Sequence, residues 1–412
     1  MRVLTLITIS TSVFLLANMY SNTQAQCGNV FSSGTYKMLS DNGSATIPFE
    51  LERNKVLVQA KVGGKNFRLV LDTGCPIPGA MLFDNARVEE LDLESVGQIM
   101  VGGAGGEPVP ADFSTGVTIQ FPGLELTDQN VIVMPNNPFQ NRFEMDGVIG
   151  YSLFGLFVVE IDFEKMVIRL TEPEGFKYSG SGRELPLSFN GGFPYLDCTV
   201  EMTDGKRVPL QLVVDLGATH ALSLSVGAHE SIVVPDNAIE FRLGTGVGGD
   251  VDGYVGRIKS LTLDPYTLED VVTSFSTGAL AACGGGGVGK EGNLGTDVLR
   301  RFHVIFDYTN ELMILEPNRH YNDPFEFNMA GVQLTKTDKG TFIIDRVVPN
   351  SPASEAGLRA NDVVTEINDL PAVHVKEDDV EELLKNESDW VTLEILRDEE
   401  RKRVRLKLRR LI

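Results

Sequence analysis

The chain has 412 residues, 42% of them apolar and 23% charged, which is the balance of a globular protein with room for two or three cores. Its formal net charge of −21 argues against nucleic acid and anionic lipid as partners, because such a surface repels phosphates. Glycine is abundant, at 42 residues, and there is one tryptophan. Many short strands joined by glycine turns would give that balance.

In chain order, residues 1–25 have the pattern of a signal peptide. Arg2 is the only charge, an apolar run follows from Val3 to Ala17, and Thr23-Gln24-Ala25 offers small residues for cleavage. No later run approaches the ~20 apolar residues needed to cross a bilayer, so no transmembrane anchor is expected after cleavage. Export to the periplasm or outside the cell is the resulting expectation. Cys27, Cys75, Cys198 and Cys283 remain in the mature chain. Disulfides are permissible there, three full pairings are possible, and buried thiols are an equal alternative. No two cysteines stand at zinc-ligand spacing and the five histidines are scattered, so neither a metal nor a cofactor is expected.

An internal repeat organises the first 320 residues. Gly150, Phe157, Asp162 and Phe163 recur 145 residues later as Gly295, Phe302, Asp307 and Tyr308. Upstream, an alternating run from Val56 to Val62 turns at Gly63-Gly64-Lys65 and runs from Phe67 to Leu71 into Asp72-Thr73-Gly74. Its counterpart from Tyr195 to Met202 turns at Asp204-Gly205-Lys206 and runs from Val208 to Val214 into Asp215-Leu216-Gly217. Glycine-bearing pairs between apolar runs signal hairpins, since glycine tolerates positive φ. Gly-rich hairpins follow in each half. The first carries Gly102, Gly103 and Gly105, the second Gly246 and Gly248, and both are expected to be flaps.

Two glycine stretches imitate nucleotide motifs. Gly244 to Gly249 fits G-x-G-x-x-G, but a strand-like acidic segment follows where a helix N-terminus is required. Gly284 to Lys290 fits G-x-x-x-x-G-K, but Glu291 stands where Ser or Thr must meet magnesium.

The two halves resemble the lobes of aspartic peptidases, pepsin-like and retroviral. The resemblance is carried by Leu71-Asp72-Thr73-Gly74, by Val214-Asp215-Leu216-Gly217-Ala218, and by Val148-Ile149-Gly150 and Asn293-Leu294-Gly295. It implies a mainly β fold with two pseudo-symmetric β-barrel lobes, residues 26–178 and 179–322. It also implies a shared site with Asp72 and Asp215 as catalytic carboxylates, supported by Thr73, Gly74, Leu216 and Gly217, acting on a polypeptide. Both motifs lie in one chain, so no dimer is needed to complete the site. Leu216 departs from the family, which has Thr or Ser there to brace the opposite lobe, and Cys75 replaces the usual Ser or Ala. A working peptidase braced from one side and a catalytically inactive exported peptide-binding scaffold are both compatible with that departure. A carbohydrate-associated envelope protein, in which the paired Asp motifs are coincidental, is the third alternative. His220 reads as a surface or packing residue.

Residues 326–412 change character. Gly340 to Ala353, Ala356-Gly357-Leu358 and Asp362 to Asn368 resemble bacterial PDZ domains, an α+β module. The resemblance implies a peptide groove formed by Gly331, Val332, Gln333 and Leu334 and by a helix from Val375 to Leu384 with Val380 on its apolar face. A peptide C-terminus would be its ligand. A module that only braces the peptidase is the alternative. In the basic tail from Arg401 to Arg410, Val404, Leu406 and Leu408 alternate with Arg and Lys, as in a strand with one solvated face.

Overall fold

The computed structural model describes residues 34–139, 143–277 and 291–412. The signal segment, Cys27, Cys283 and the Gly284–Lys290 stretch lie outside the described residues. Among the described residues, no helix is long and apolar enough to cross a membrane.

The chain is mainly β. In the first half, strands Lys55–Val62 and Lys65–Leu71 form a hairpin, and Leu69 to Leu71 then pair in parallel with Gly147–Ile149. In the second half, Phe193–Glu201 and Arg207–Asp215 form the matching hairpin, and Val213 to Asp215 pair in parallel with Asn293 to Gly295. The next strand of each half, Ala80–Phe83 or Leu222–Ser225, runs antiparallel to that last partner and parallel to a long hairpin strand. The repeat in the sequence is therefore a repeat of topology. Leu, Val and Ile alternate inward along these strands, and the residues of both halves merge into one apolar core that includes Leu69, Leu71, Leu212 and Val214.

The halves are joined by a sheet running through Ser44–Glu52, Val167–Thr171, Val158–Asp162, Phe302–Asp307, Leu312–Pro317 and Arg183–Asn190. At its centre Glu160 faces Ile305, Val159 faces Phe306 and Ile161 faces Val304. Glu160 and Ile305 are 145 residues apart, so the pseudo-twofold axis passes between a residue and its own repeat.

The C-terminal unit has strands Val332–Lys336, Phe342–Val347, Val363–Ile367, Trp390–Arg397 and Glu400–Lys407, with a helix at Glu377–Leu383. The helix starts at Glu377, two residues after the expected Val375, which ends a turn of 3₁₀ helix instead. Val332, Phe342, Ile344, Val380 and Leu384 share one core. The basic tail forms the expected strand. Leu406 and Leu408 are buried, while Arg401 and Arg403 pair with Glu394 and Asp369 on the solvated face.

This unit is seated on the second half. Phe241 and Val255 pack with Val348 and Ile412 in a small apolar cluster. Around it, Arg242 pairs with Asp345, and Arg346 pairs with Glu240 and Asp252.

Candidate functional site

Asp72 and Asp215 end equivalent strands, one per lobe, and the structure brings them together at the pseudo-twofold axis. Both carboxyls come within 3.1 Å of the point where a Gly74 Cβ would stand. Both are partly buried. In each loop the next turn closes identically: the Cys75 amide donates to the Asp72 carbonyl and the Ala218 amide to the Asp215 carbonyl, both at 3.3 Å.

The environments of the two carboxylates differ. Asp72 Oδ1 accepts from the Gly74 amide at 2.6 Å. Asp215 Oδ1 accepts from the Ala218 amide at 3.1 Å, and Asp215 Oδ2 accepts from Asn293 Nδ2 at 2.8 Å. Burial, reinforced by the neighbouring Asp215 charge, pushes the Asp72 carboxyl up to about 7. Two adjacent carboxylates in a site of low polarity do not both ionise; they share a proton. Asp72 is the carboxyl pushed up, so the shared proton rests with it, while Asp215 has one more donor facing it.

Both motif glycines are needed by the carboxylate opposite. A Cβ on Gly217 would stand 2.5 Å from Asp72 Cγ, and one on Gly74 would stand 2.9 Å from Asp215 Oδ1. The close approach of the two loops therefore depends on these positions having no side chain.

Cross-lobe bracing runs from the first lobe to the second. Thr73 Oγ1 donates to the Val214 carbonyl at 2.6 Å and accepts from the Leu216 amide at 2.9 Å. Leu216 points the other way, fully buried in the core. Two further side chains reach across, and the sequence reading missed both. Asn54 Nδ2 donates to the Thr219 carbonyl and Lys55 Nζ to the Gly217 carbonyl, each at 2.9 Å. They lie in the turn joining Ser44–Glu52 to Lys55–Val62, where Arg53 and Asn54 take φ of +46° and +62°. Positive φ at both central residues is the geometry of a tight two-residue hairpin turn. Asn293 was missed as well. It sits where the first lobe has Val148, inside a segment read for its apolar character.

The flap glycines are brought together. Strands Gly97–Val101 and Val109–Phe121 carry the first tip, and Ile239–Gly246 and Gly249–Leu263 the second. The Gly248 amide donates to the Ala104 carbonyl at 3.0 Å across the axis. A Cβ on Gly103 would meet Val247 at 3.0 Å, and Cβ atoms on Gly105, Gly246 and Gly248 would collide with the opposite tip's backbone. Val247 packs against an apolar cluster that includes Val101 and Cys75, so apolar residues connect the tips to the residue three after Asp72.

His220 is partly buried beside Asp215, with its Nε2 enclosed and unbonded, and burial pushes its pKa down. A neutral packing residue fits that setting. Cys75 and Cys198 are both buried, and burial pushes the Cys198 thiol up to about 12, so it does not ionise at ordinary pH.

In the C-terminal unit, Val332 and Val380 are buried in one apolar core, and Leu334 packs against it. Gly331 takes φ of +71° in the loop at its end, where Asn328 Oδ1 accepts from the Gly331 amide at 2.9 Å. The Gln333 side chain points elsewhere. It pairs with both backbone groups of Arg242 on the second flap strand, at 3.1 and 3.2 Å.

Comparison with known families places residues 58–153 in a match to the aspartyl protease model and residues 329–408 in a match to the PDZ domain model. The chain thus joins an aspartyl-protease-type domain to a C-terminal PDZ domain. The first match ends within the first lobe, and the second lobe is tied to it by the duplicated topology. No curated protein matches the chain.

Proposed function

We propose that this protein is an exported aspartic endopeptidase whose water is activated between Asp72 and Asp215. The observation that carries the reading is the pair itself: two carboxylates on equivalent loops, brought together from the two lobes, with unequal donor sets.

In this reading Asp215 is ionised and takes a proton from the water as its oxygen attacks the scissile carbonyl carbon. Asp72 gives its proton to the carbonyl oxygen, forming a neutral gem-diol. Asp215 then delivers its proton to the amide nitrogen while Asp72 recovers one from a gem-diol hydroxyl, and the C–N bond breaks. The products are an amine and a carboxylic acid, and both side chains return to their starting states.

The two flaps would part for an extended polypeptide and close over it, holding its main chain by strand-like hydrogen bonds. The PDZ groove, lined by Gly331, Val332, Leu334 and Val380, would recruit the substrate or a partner by a peptide C-terminus. The pair is complete in one chain, so activity should not depend on dimerisation.

The absence of a hydroxyl at position 216 favours a second reading, a peptide-binding scaffold without turnover. The mature chain should be incubated with a diverse peptide mixture from mildly acidic to neutral pH, beside Asp72→Asn and Asp215→Asn. Cleavage lost in both variants and blocked by a statine-type transition-state analogue supports the peptidase. Peptide binding without cleavage at any pH supports the scaffold.

A further inference from the structure

Lys55 is a lysine in an unusual place. It is 7% exposed, in a strand whose inward neighbours are Val and Leu. Burying an ammonium is expensive unless something compensates it. Three things do. Its Nζ donates to the Gly217 carbonyl at 2.9 Å. It lies over the Phe143 ring at 4.8 Å and the Phe139 ring at 5.6 Å. Burial pushes its pKa down, and the charges of Asp72 and Asp215 push back to keep the ammonium charged. The other ionisable groups around it are Arg53 on its own hairpin and His220 on the second lobe, and Arg53 opposes its charge.

We propose, resting on the peptidase reading above, that Lys55 is a positioning residue of the carboxylate pair. Its ammonium is the counter-charge for the single negative charge the pair shares. Its bond to Gly217 holds the Asp215 loop in place of the hydroxyl that position 216 lacks. A fixed cation beside the pair stabilises the ionised form, so removing it must raise the pH at which the carboxylates titrate. The bracing role follows from direction. Thr73 ties the first lobe to the residues flanking Asp215, and Leu216 returns no such tie. Lys55, with Asn54 beside it, supplies further ties to the same loop.

The test is a carboxyl titration by NMR on the full mature chain with ¹³C-labelled aspartate, which does not require activity. In the wild type one buried carboxyl should titrate at about 7. In Lys55→Met that carboxyl should titrate higher by ~1 pH unit, the scale set by losing a close opposite charge, and Lys55→Arg should return it toward the wild-type position. Hydrolysis is read in parallel. Lys55→Met should lower kcat with little change in KM, and Lys55→Arg should recover part of that loss. Should Lys55→Met fail to fold, Lys55→Gln, which keeps a donor but no charge, carries the same titration. An unshifted carboxyl in a folded uncharged variant overturns the proposal. A shifted carboxyl in a protein that cleaves nothing leaves the counter-charge standing and removes the peptidase reading instead.

Discussion

Gly217 and Asp72 belong to different lobes, yet a methyl group on the first would stand 2.5 Å from the carboxylate carbon of the second. The reciprocal pair, Gly74 and Asp215, has more room, at 2.9 Å to the nearest oxygen. The duplicated site is thus tighter on one side. Gly217→Ala should therefore abolish hydrolysis by forcing Asp72 out of line, while Gly74→Ala should lower it severely but by less. Steady-state rates of the two variants, each checked for folding by circular dichroism, decide the order; equal losses would contradict it.

Thr73 satisfies two buried backbone groups of the other lobe with one hydroxyl. Thr73→Val keeps the volume and leaves the Val214 carbonyl and the Leu216 amide without that partner. At ~1–3 kcal/mol for each buried unsatisfied group, the lobes should lose a few kcal/mol of stability and kcat should fall sharply. Thr73→Ser retains the hydroxyl and should behave nearly as the wild type. Denaturant melts of the three proteins provide the comparison.

Asp72 stores instability in the folded state. Its folded pKa of about 7 lies above the ordinary aspartate value of 3.8. The folded chain therefore holds a proton that the unfolded chain releases between those two pH values. Its relative stability from this group is fully present below about pH 4 and declines as pH rises to about 7. Asp72→Asn removes the penalty. That variant should be inactive yet more stable than the wild type at pH 8, by up to a few kcal/mol, and the gap should close toward pH 4. Thermal melts across that range would show it, and a pH-independent difference would count against it.

Asn293 donates to Asp215 where the first lobe offers only Val148. That bond fixes the orientation of the Asp215 carboxylate against Asp72. Asn293→Val should therefore lower kcat by about tenfold with little change in KM, a loss of ~1.4 kcal/mol of transition-state stabilisation. An unchanged kcat would show that the Ala218 amide alone is sufficient.

Much of this site could be read from short stretches of sequence, because its chemistry is local. An Asp followed two residues later by Gly, a glycine hairpin and an apolar-apolar-Gly segment are each determined by neighbouring residues, and finding them twice gave the lobes. The cross-lobe ties could not be found that way. Arg53-Asn54 carries none of the glycine that marks a tight turn, and Lys55 looks like one more charge at a strand end. Only the closure of the interlobe sheet brings that turn to Gly217. Asn293 was hidden by its company in Asn-Leu-Gly, where position rather than type was read. Gln333 belongs by resemblance to the first PDZ groove strand, and no local pattern in the sequence announces that its side chain bonds the backbone of Arg242 on the second flap.

Arg53 links two regions that a domain diagram would separate. Its guanidinium pairs with Glu377 at 3.3 Å and Glu381 at 3.2 Å, both on the PDZ helix, and stacks over Phe143 at 4.1 Å. The next two residues, Asn54 and Lys55, hold the loop that carries Asp215. The PDZ unit is accordingly a poor candidate for a shuffled cassette. A lineage that exchanged it for another ligand-binding module would have to re-invent the buttress behind the turn, and a lineage that altered the turn would have to keep the helix acids in step.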